Sequence, residues 1–413
     1  MREENKQICH TKWVIRLLAM FPVLMTILEP YAFTDGGGIS ICDVLVILLA
    51  ICLVVSRTIQ FHKGLFTLLI IDFLLTIISF LLTNSNQTNI FLALKVFVTF
   101  TLYLMAYSSI WSYDIKETFL KVAEIAGLVC AILAILQFCF ASLGFEFYDG
   151  KLFFPLSEGS YFGGLHDRNT HDLRVHSFFE EPSYLGIFEL PVTVYFFQNK
   201  KFIKAIICAI SCIASGSMIG VIGLIICVIA LLLADNDIQK NTKLKIVIIL
   251  ILGILGLIYV YNSNVSFRNL IDYYIERIST IQLSSQRADS SFSQRIIGNV
   301  EWFQEYKPIN KIIGVGFNQY SLYFRIYKDY SNDFVSNLLN FGYIGIFCMI
   351  ITIWMMLKNV SPHGRIFLLI LVLVLAVDHS WFSALFFYLF SWVVINTDKR
   401  KENRVFVKVR YWK

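Results

Sequence analysis

Charge is scarce in this chain. Asp, Glu, Lys and Arg make up only 15% of its 413 residues, against 57% hydrophobic and 15% aromatic, and the mean hydropathy is +0.67. A soluble domain cannot cover its surface with so little charge, so the composition points to a polytopic membrane protein. A basic face is also missing. The formal charge is +6, but the basic residues fall in short clusters between apolar runs, which argues against a nucleic-acid partner. Cysteine is absent from both long hydrophilic stretches: Cys9, Cys42, Cys52, Cys130, Cys139, Cys208, Cys212, Cys227 and Cys348 all lie in or beside apolar runs or in the N-terminal tail. No structural disulfide is expected in those stretches. After Met1-Arg-Glu-Glu-Asn-Lys6, the first apolar run has no small-residue cleavage site and reads as a retained helix. There is no internal repeat and no low-complexity tract.

What the chain has in quantity is apolar runs. A helix needs about 20 apolar residues to cross hydrocarbon. Runs of that order occupy 13–33, 39–56, 64–82, 89–111, 118–142, 182–198, 201–215, 217–234, 243–262, 333–357, 366–379 and 381–397. The expected fold is therefore an all-α polytopic membrane protein with about 12 transmembrane helices and two large outer-face loops. Residues 1–142 hold five helices, 143–181 the first outer loop, 182–262 four helices, 263–332 the second outer loop, 333–397 three helices and 398–413 a basic cytoplasmic tail. The pairs 201–215/217–234 and 366–379/381–397 read equally as hairpins of short helices or as broken elements.

Charge sets the orientation. Segments 1–12, 56–63, 112–121, 198–204, 235–245, 358–365 and 396–413 together carry 22 Lys or Arg, while the short loops 34–38, 83–88, 215–217 and 378–381 carry none. The positive-inside rule then places both termini in the cytoplasm and requires an even number of spans. Both long loops fall outside, the first with a local charge of −4 and the second with +2. In the second loop, Ile296, Ile297, Val300 and Phe303 alternate with Arg295, Asn299 and Glu301, a pattern expected to fold as a helix on the membrane surface. Among the charges within the spans, Asp43, Asp72, Lys95, Glu124 and Glu189 are the informative ones. Each is expected to face a partner or a water-filled cavity, with Asp72 and Lys95 as a candidate pair between adjacent helices.

Polar chemistry concentrates in Arg174-Val-His-Ser-Phe-Phe-Glu-Glu-Pro-Ser-Tyr-Leu-Gly186, just before an apolar run. Pro182 suits the first turn of a helix, where its missing N–H costs nothing, and the acids beside it gain from the helix dipole. A helix start alone would account for Glu180, Glu181, Pro182 and Ser183. A chemical reading combines this motif with Arg287, Arg295 and the Gly314-Val-Gly-Phe-Asn318 turn. A carboxylate would take a proton from an attacking hydroxyl while arginines hold a leaving diphosphate through forked, charge-assisted bonds. His166, His171 and His176 recur every five residues, which fits no helical metal pair, so no metal site is expected. Gly314-Val-Gly316 reads as a turn rather than a dinucleotide site. Asp378-His379 reads as an interfacial cap.

Three blocks carry a resemblance to the O-antigen polymerase (Wzy) and O-antigen ligase group of bacterial polysaccharide enzymes. The first is Arg174 to Gly186, similar to an Arg…Ser-x-Phe-x-Glu-Pro-Ser segment. The second is Arg295, Pro308 and Gly314-Val-Gly-Phe-Asn318. The third is Asn332 followed by Gly342-Tyr-Ile-Gly345 at a helix start, with Ser215-Gly-Ser217 as a small-polar turn between two spans. The resemblance implies a GT-C-like, metal-independent inverting glycosyltransferase with no cofactor. It would polymerise undecaprenyl-diphosphate-linked oligosaccharides on the outer face of the cytoplasmic (inner) membrane, with the lipid bilayer and a chain-length regulator as partners. Glu180 or Glu181 would be the general base and Arg174 and Arg295 the diphosphate clamps. Arg287, His176, Ser183, Asn318, Asn332 and Glu189 would contact substrate. Arg287 lies eleven residues before Gly298, as in the spaced Arg…Gly pattern of such loops, whereas Gly186 lies twelve after Arg174 and departs from it. Ligases typically show His-Asn where this chain has Ser331-Asn332, which favours polymerase. A flippase or other transporter is the competing class. Transporters, however, place their polar groups at the membrane midplane on broken helices and often show repeats.

Overall fold

Long apolar runs in this chain become helix because nothing inside them offers the backbone a better partner than its own i→i−4 carbonyl. The computed structural model describes residues 2–34, 40–56, 58–83, 90–109, 113–145, 147–157, 165, 173–234, 259, 261–263, 268, 272, 300–317, 320, 331–378, 381, 383–398 and 405–410. Its elements in order are α1 (Arg2–Leu28), α2 (Ile41–Ser56), β1 (Thr58–His62), α3 (Lys63–Thr83), α4 (Ile90–Ser109), α5 (Tyr113–Ser142), α6 (Pro182–Gln198), α7 (Phe202–Ala214) and α8 (Met218–Ala234). There follow α9 (Val300–Gln304), α10 (Pro308–Ile313), α11 (Asp333–Asn359), α12 (Arg365–Val377), α13 (Ala384–Ile395) and β2 (Phe406–Arg410).

Eleven of the twelve expected runs coincide with a helix, and the run 243–262 lies almost wholly outside the described residues. Among the described residues, three helices are long and apolar enough to cross a membrane by length and composition: Lys63–Leu82, Ile115–Ser142 and Asp333–Asn359. Shorter apolar helices of 10 to 17 residues accompany them. The architecture is thus mostly helical and consistent with an all-α membrane protein. Both ambiguous pairs are separate helices, α7 and α8 joined through Ser215-Gly-Ser217 and α12 and α13 through residues 378–383. The first helix ends at Leu28 rather than at 33, because residues 31 and 32 leave it to form bridges with Leu156 and Ser40.

The chain divides into two units. One comprises Met1–Pro22, Asp43–Phe119 and Ile281–Lys413; the other comprises Val23–Cys42 and Leu120–Thr280.

In the first unit, segments of like expected side meet one another. β1 pairs antiparallel with β2 in the register Thr58↔Arg410 to His62↔Phe406, so the loop 56–63 and the tail 398–413 share a two-stranded ribbon. This corrects the reading of 398–413 as a plain basic tail. Thr-Ile-Gln-Phe-His and Phe-Val-Lys-Val-Arg are rich in β-branched and aromatic residues, which favour an extended backbone. Val360 bridges Thr397, and the Lys116 ammonium donates to the Ile395 carbonyl (2.6 Å). Four segments assigned to one face by charge therefore converge.

The expected pair Asp72–Lys95 does not form. The Lys95 ammonium lies 3.7 Å from Asp43 and is largely exposed, while Asp72 is buried on α3. In the second unit, Glu124 on α5 takes hydrogen bonds from Lys201 (2.6 Å) and Lys204.

His62 closes the ribbon end of the first unit. Its ring packs edge-on against Phe390 (5.6 Å) and Phe406 (5.8 Å), its Nδ1 accepts the Leu65 N–H (3.3 Å), and its backbone N–H donates to Ser108 Oγ (3.0 Å). The ring thus caps the first turn of α3 in its neutral form, and burial lowers its pKa from 6.5 to about 4. The folded value lies below the unfolded one, so the stabilisation is complete above pH ~6.5 and is lost as pH falls towards ~4. Thermal unfolding in detergent across that range is expected to show a loss on the order of 3 kcal/mol. A His62→Asn variant, which keeps an acceptor but cannot titrate, is expected to lack this step.

Candidate functional site

In the second unit the motif before α6 is held by a residue from another helix. Gln137, fully buried on α5, accepts the Ser177 N–H through Oε1 (2.8 Å) and donates through Nε2 to the carbonyls of Ser177 (3.3 Å) and Tyr148 (3.1 Å). One amide therefore satisfies both backbone groups of Ser177. That matters because Ser177 has φ 55, a left-handed conformation in which a non-glycine residue is strained. The neighbouring strand of loop comes so close that a Cβ on Gly150, itself at φ 89, would stand 1.5 Å from the Ser177 oxygen. A Phe179 N–H···O=C His176 bond (2.9 Å) closes the turn, and the Arg174 N–H bonds the Leu165 carbonyl (2.8 Å).

The turn delivers the chain to α6 with Glu181 as its N-cap residue and Pro182 in the first turn, as the sequence predicts. Glu181 is exposed, makes no side-chain cap, and accepts a hydrogen bond from the Ser183 hydroxyl (3.0 Å). Arg174 and Glu180 are half-buried, and His176 is buried. Glu180 lies near Tyr31, whose hydroxyl accepts the Leu152 N–H (2.9 Å). Burial pushes that phenol up to about 12 against the effect of the Leu152 bond, with Tyr148, Asp149 and Glu180 adding to the rise. The surroundings of Glu180 are thus acidic and partly dry.

Glu189, two turns into α6, has no exposed surface, and among the described residues no nitrogen or oxygen donor reaches either carboxyl oxygen. Its neighbours are thiols: Cys208 within hydrogen-bonding reach, with Cys130 and Cys212 close by. It sits beneath the motif rather than among its exposed groups.

The first unit holds a second polar group of residues around the start of α11. Asn332 caps that helix, its Oδ1 accepting the Val335 N–H (2.9 Å). Asp333 Oδ1 accepts the Trp381 N–H (2.8 Å), and the Asp333 N–H donates to the carbonyl of Asp378, the C-cap of α12 (3.2 Å). Asp333, Ser336, Asn337 and Asn340 recur at helical spacing and are all buried, and neither amide atom of Asn337 has a partner.

Gly342 interrupts α11 with φ 64 and ψ −159, so Gly342-Tyr-Ile-Gly345 opens the second half of one broken element. Arg287, Arg295 and Asn318 lie outside the described residues, as do His166, His171 and His379. Among the described residues, no group of three His, Cys, Asp or Glu is placed to hold a metal ion.

Sequence reasoning missed Gln137, Gly150, Tyr31 and the polar face of α11. Two of these left a signal: an amide inside the apolar run 118–142, and four polar residues spaced like one helix face at the head of the run 333–357. A scan of protein-family models and a search of characterised proteins both find no match to this chain.

The clamp has a measurable consequence. Gln137→Met keeps the volume but leaves buried backbone groups of Ser177 unpaired, at about 1–3 kcal/mol for each group. Amide exchange across residues 174–180 is expected to rise about tenfold or more. Gly150→Ala is expected to produce at least as large a rise, since the Ser177 carbonyl has to move. Unchanged exchange in both variants would show that the clamp does not hold the motif.

Proposed function

We propose that the chain is a polysaccharide polymerase. It joins undecaprenyl-diphosphate-linked oligosaccharide repeat units on the outer face of the cytoplasmic membrane, as a metal-independent inverting glycosyltransferase with about twelve spans and both termini cytoplasmic. The observation that carries this reading is the fixed motif at the head of α6. Arg174, His176, Glu180 and Glu181 flank one strained turn at Ser177, whose backbone N–H and carbonyl are both held by Gln137. Prepaid rigidity of this kind is what group transfer asks of its positioning residues.

In the proposed reaction a hydroxyl of the newest lipid-linked repeat unit attacks the anomeric carbon of the growing chain. Its proton passes to a glutamate, and the C–O bond to the lipid diphosphate breaks with inversion. Arg174 and Arg295 stabilise the charge that develops on the departing diphosphate. Of the two acids Glu180 is the better placed base, because it is half-buried beside the turn whereas Glu181 faces solvent. His176, Ser183, Arg287, Asn318 and Asn332 would contact the sugars or the diphosphate, and Glu189 would support the motif from beneath. A regulator of chain length is the expected protein partner.

One observation favours a second reading. A broken α11 with a buried polar face resembles the discontinuous helices on which transporters build midplane sites. A flippase for the same lipid-linked sugars is therefore the alternative class, with an O-antigen ligase-type transferase the alternative within the enzymes.

Purified protein in detergent, given the native undecaprenyl-diphosphate repeat unit with EDTA present, is expected to yield a ladder of polymer. Arg174→Ala and Arg295→Ala are expected to insert normally and to make no long chains. Glu180→Gln is expected to lose about 10²–10⁴-fold in rate, with a smaller loss for Glu181→Gln. Full-length polymer from Arg174→Ala would remove its role. Unchanged substrate that crosses liposome bilayers would replace the enzyme with the flippase.

A further inference from the structure

In helix α3 the polar residues Asp72, Thr76 and Ser79 follow one another at spacings that put them on one face. Two of them hold the Gly314–Phe317 turn. The Thr76 hydroxyl donates to the Asp72 carbonyl (2.8 Å) and accepts the Phe317 N–H (3.1 Å), and the Ser79 hydroxyl donates to the Gly314 carbonyl (3.3 Å). The third has no visible task. Asp72 is 3% exposed and, among the described residues, neither carboxyl oxygen has a hydrogen-bond partner. It lines a cavity of ≈ 20 Å³ whose other walls include Thr76, Phe73, Phe97, Phe100 and Phe317.

An ionised carboxylate in such a place needs a counter-charge, and the described residues packed around it supply none. From α4 come Ala93, Val96, Phe97 and Phe100, while Lys95 of the same helix turns to Asp43. From α11 comes the Cys348 thiol, close enough to feel the charge, and from α10 comes Ile313, packed against Leu75. The cavity takes about one water-sized occupant. A metal ion is poorly served, since hard cations gather about six or more oxygens and the lining offers one carboxyl and one hydroxyl. The species that satisfies both charge and volume is a proton, alone or with one water.

We propose that Asp72 is a proton-binding site that positions the Gly314–Phe317 turn. With the proton bound, the carboxyl is neutral, the walls of the pocket keep their places and the Phe317 N–H remains on Thr76. When the proton leaves to bulk water, the carboxylate draws water into the cavity. The walls from α3 and α4 are helical, so the wall that yields is Phe317. Proton occupancy at α3 thus decides whether the turn is seated. This inference does not depend on the polymerase reading, because the same coupling would operate in a transporter.

The test uses the full chain in lipid nanodiscs, with two readouts followed against pH: hydrogen exchange of the peptide covering residues 314–317, corrected for the intrinsic pH dependence of exchange, and the infrared C=O band of a protonated carboxyl. In the native chain, protection of the Phe317 amide is expected to fall about tenfold, the worth of one hydrogen bond, as the carboxyl band disappears. Asp72→Asn keeps the shape without the charge, and is expected to lack the band and stay protected at every pH. Thr76→Val is expected to keep the titrating band and lose the protection throughout. The proposal is overturned if protection and band fail to change together across the range in which the protein stays folded. It is equally overturned if the pH dependence survives in Asp72→Asn.

Discussion

Inside a membrane-like interior, a backbone that leaves the helix takes its unpaired N–H and C=O groups with it, and no water is present to receive them. In the first unit, α11 breaks at Gly342, which frees the carbonyls at the end of its first half. The Leu339 carbonyl accepts the Tyr306 hydroxyl (3.1 Å), and the Asn340 carbonyl accepts the Gly316 N–H (2.8 Å). For this the loop backbone has to touch the helix backbone directly. A Cβ on Gly314 would stand 2.0 Å from the Asn340 oxygen, and one on Gly342 would stand 2.5 Å from the Ile312 carbonyl. The break and the turn thus satisfy each other, and Thr76 and Ser79 secure the turn's far side. Substitution at either glycine would separate the two backbones and strand both sets of polar groups.

The second unit solves the same problem with a side chain. Ser177 leaves regular structure at the head of α6, and the Gln137 amide supplies the donor and the acceptor that the turn lacks. An amide suits this position better than a carboxylate or an ammonium, because it offers both roles without a charge to bury. The charges that are present follow a matching logic. Glu124 is met by two lysines and Lys95 by Asp43, so these ions are paired near helix ends. Asp72 and Glu189 are the exceptions, buried without such partners and each placed beside a structured turn or motif.

The sequence disclosed what depends on local composition. Apolar length located the helices, Pro182 located the start of α6, and lysine and arginine counts grouped the connecting segments so well that four of them meet in the first unit. What it could not disclose depends on which helix lies beside which. Asp72 and Lys95 looked like partners because their helices are consecutive, yet their side chains face different neighbours. The pairing of residues 58–62 with 406–410 joins segments more than three hundred positions apart, and two short basic stretches give no hint of it. Gln137 was passed over because a single amide in an apolar run resembles tolerated noise. Only the left-handed Ser177 opposite it shows what the amide is for.

At the head of α6, support and chemistry occupy different depths. Gln137 and Ser177, which fix the turn, are buried, as are His176 and Glu189, whereas Arg174 and Glu180 are half-buried and Glu181 is open to solvent. A carboxylate at this boundary is stabilised by the positive end of the α6 dipole, which falls away within the first turn. A reacting group there can meet a hydrophilic substrate without paying the full cost of burial. Its backbone, however, is fixed from below by bonds that no solvent can compete for. The position of the acids is therefore set by α5 and the Gly150 loop as much as by α6, and a change at Gln137 should disturb the motif from a site that no substrate touches.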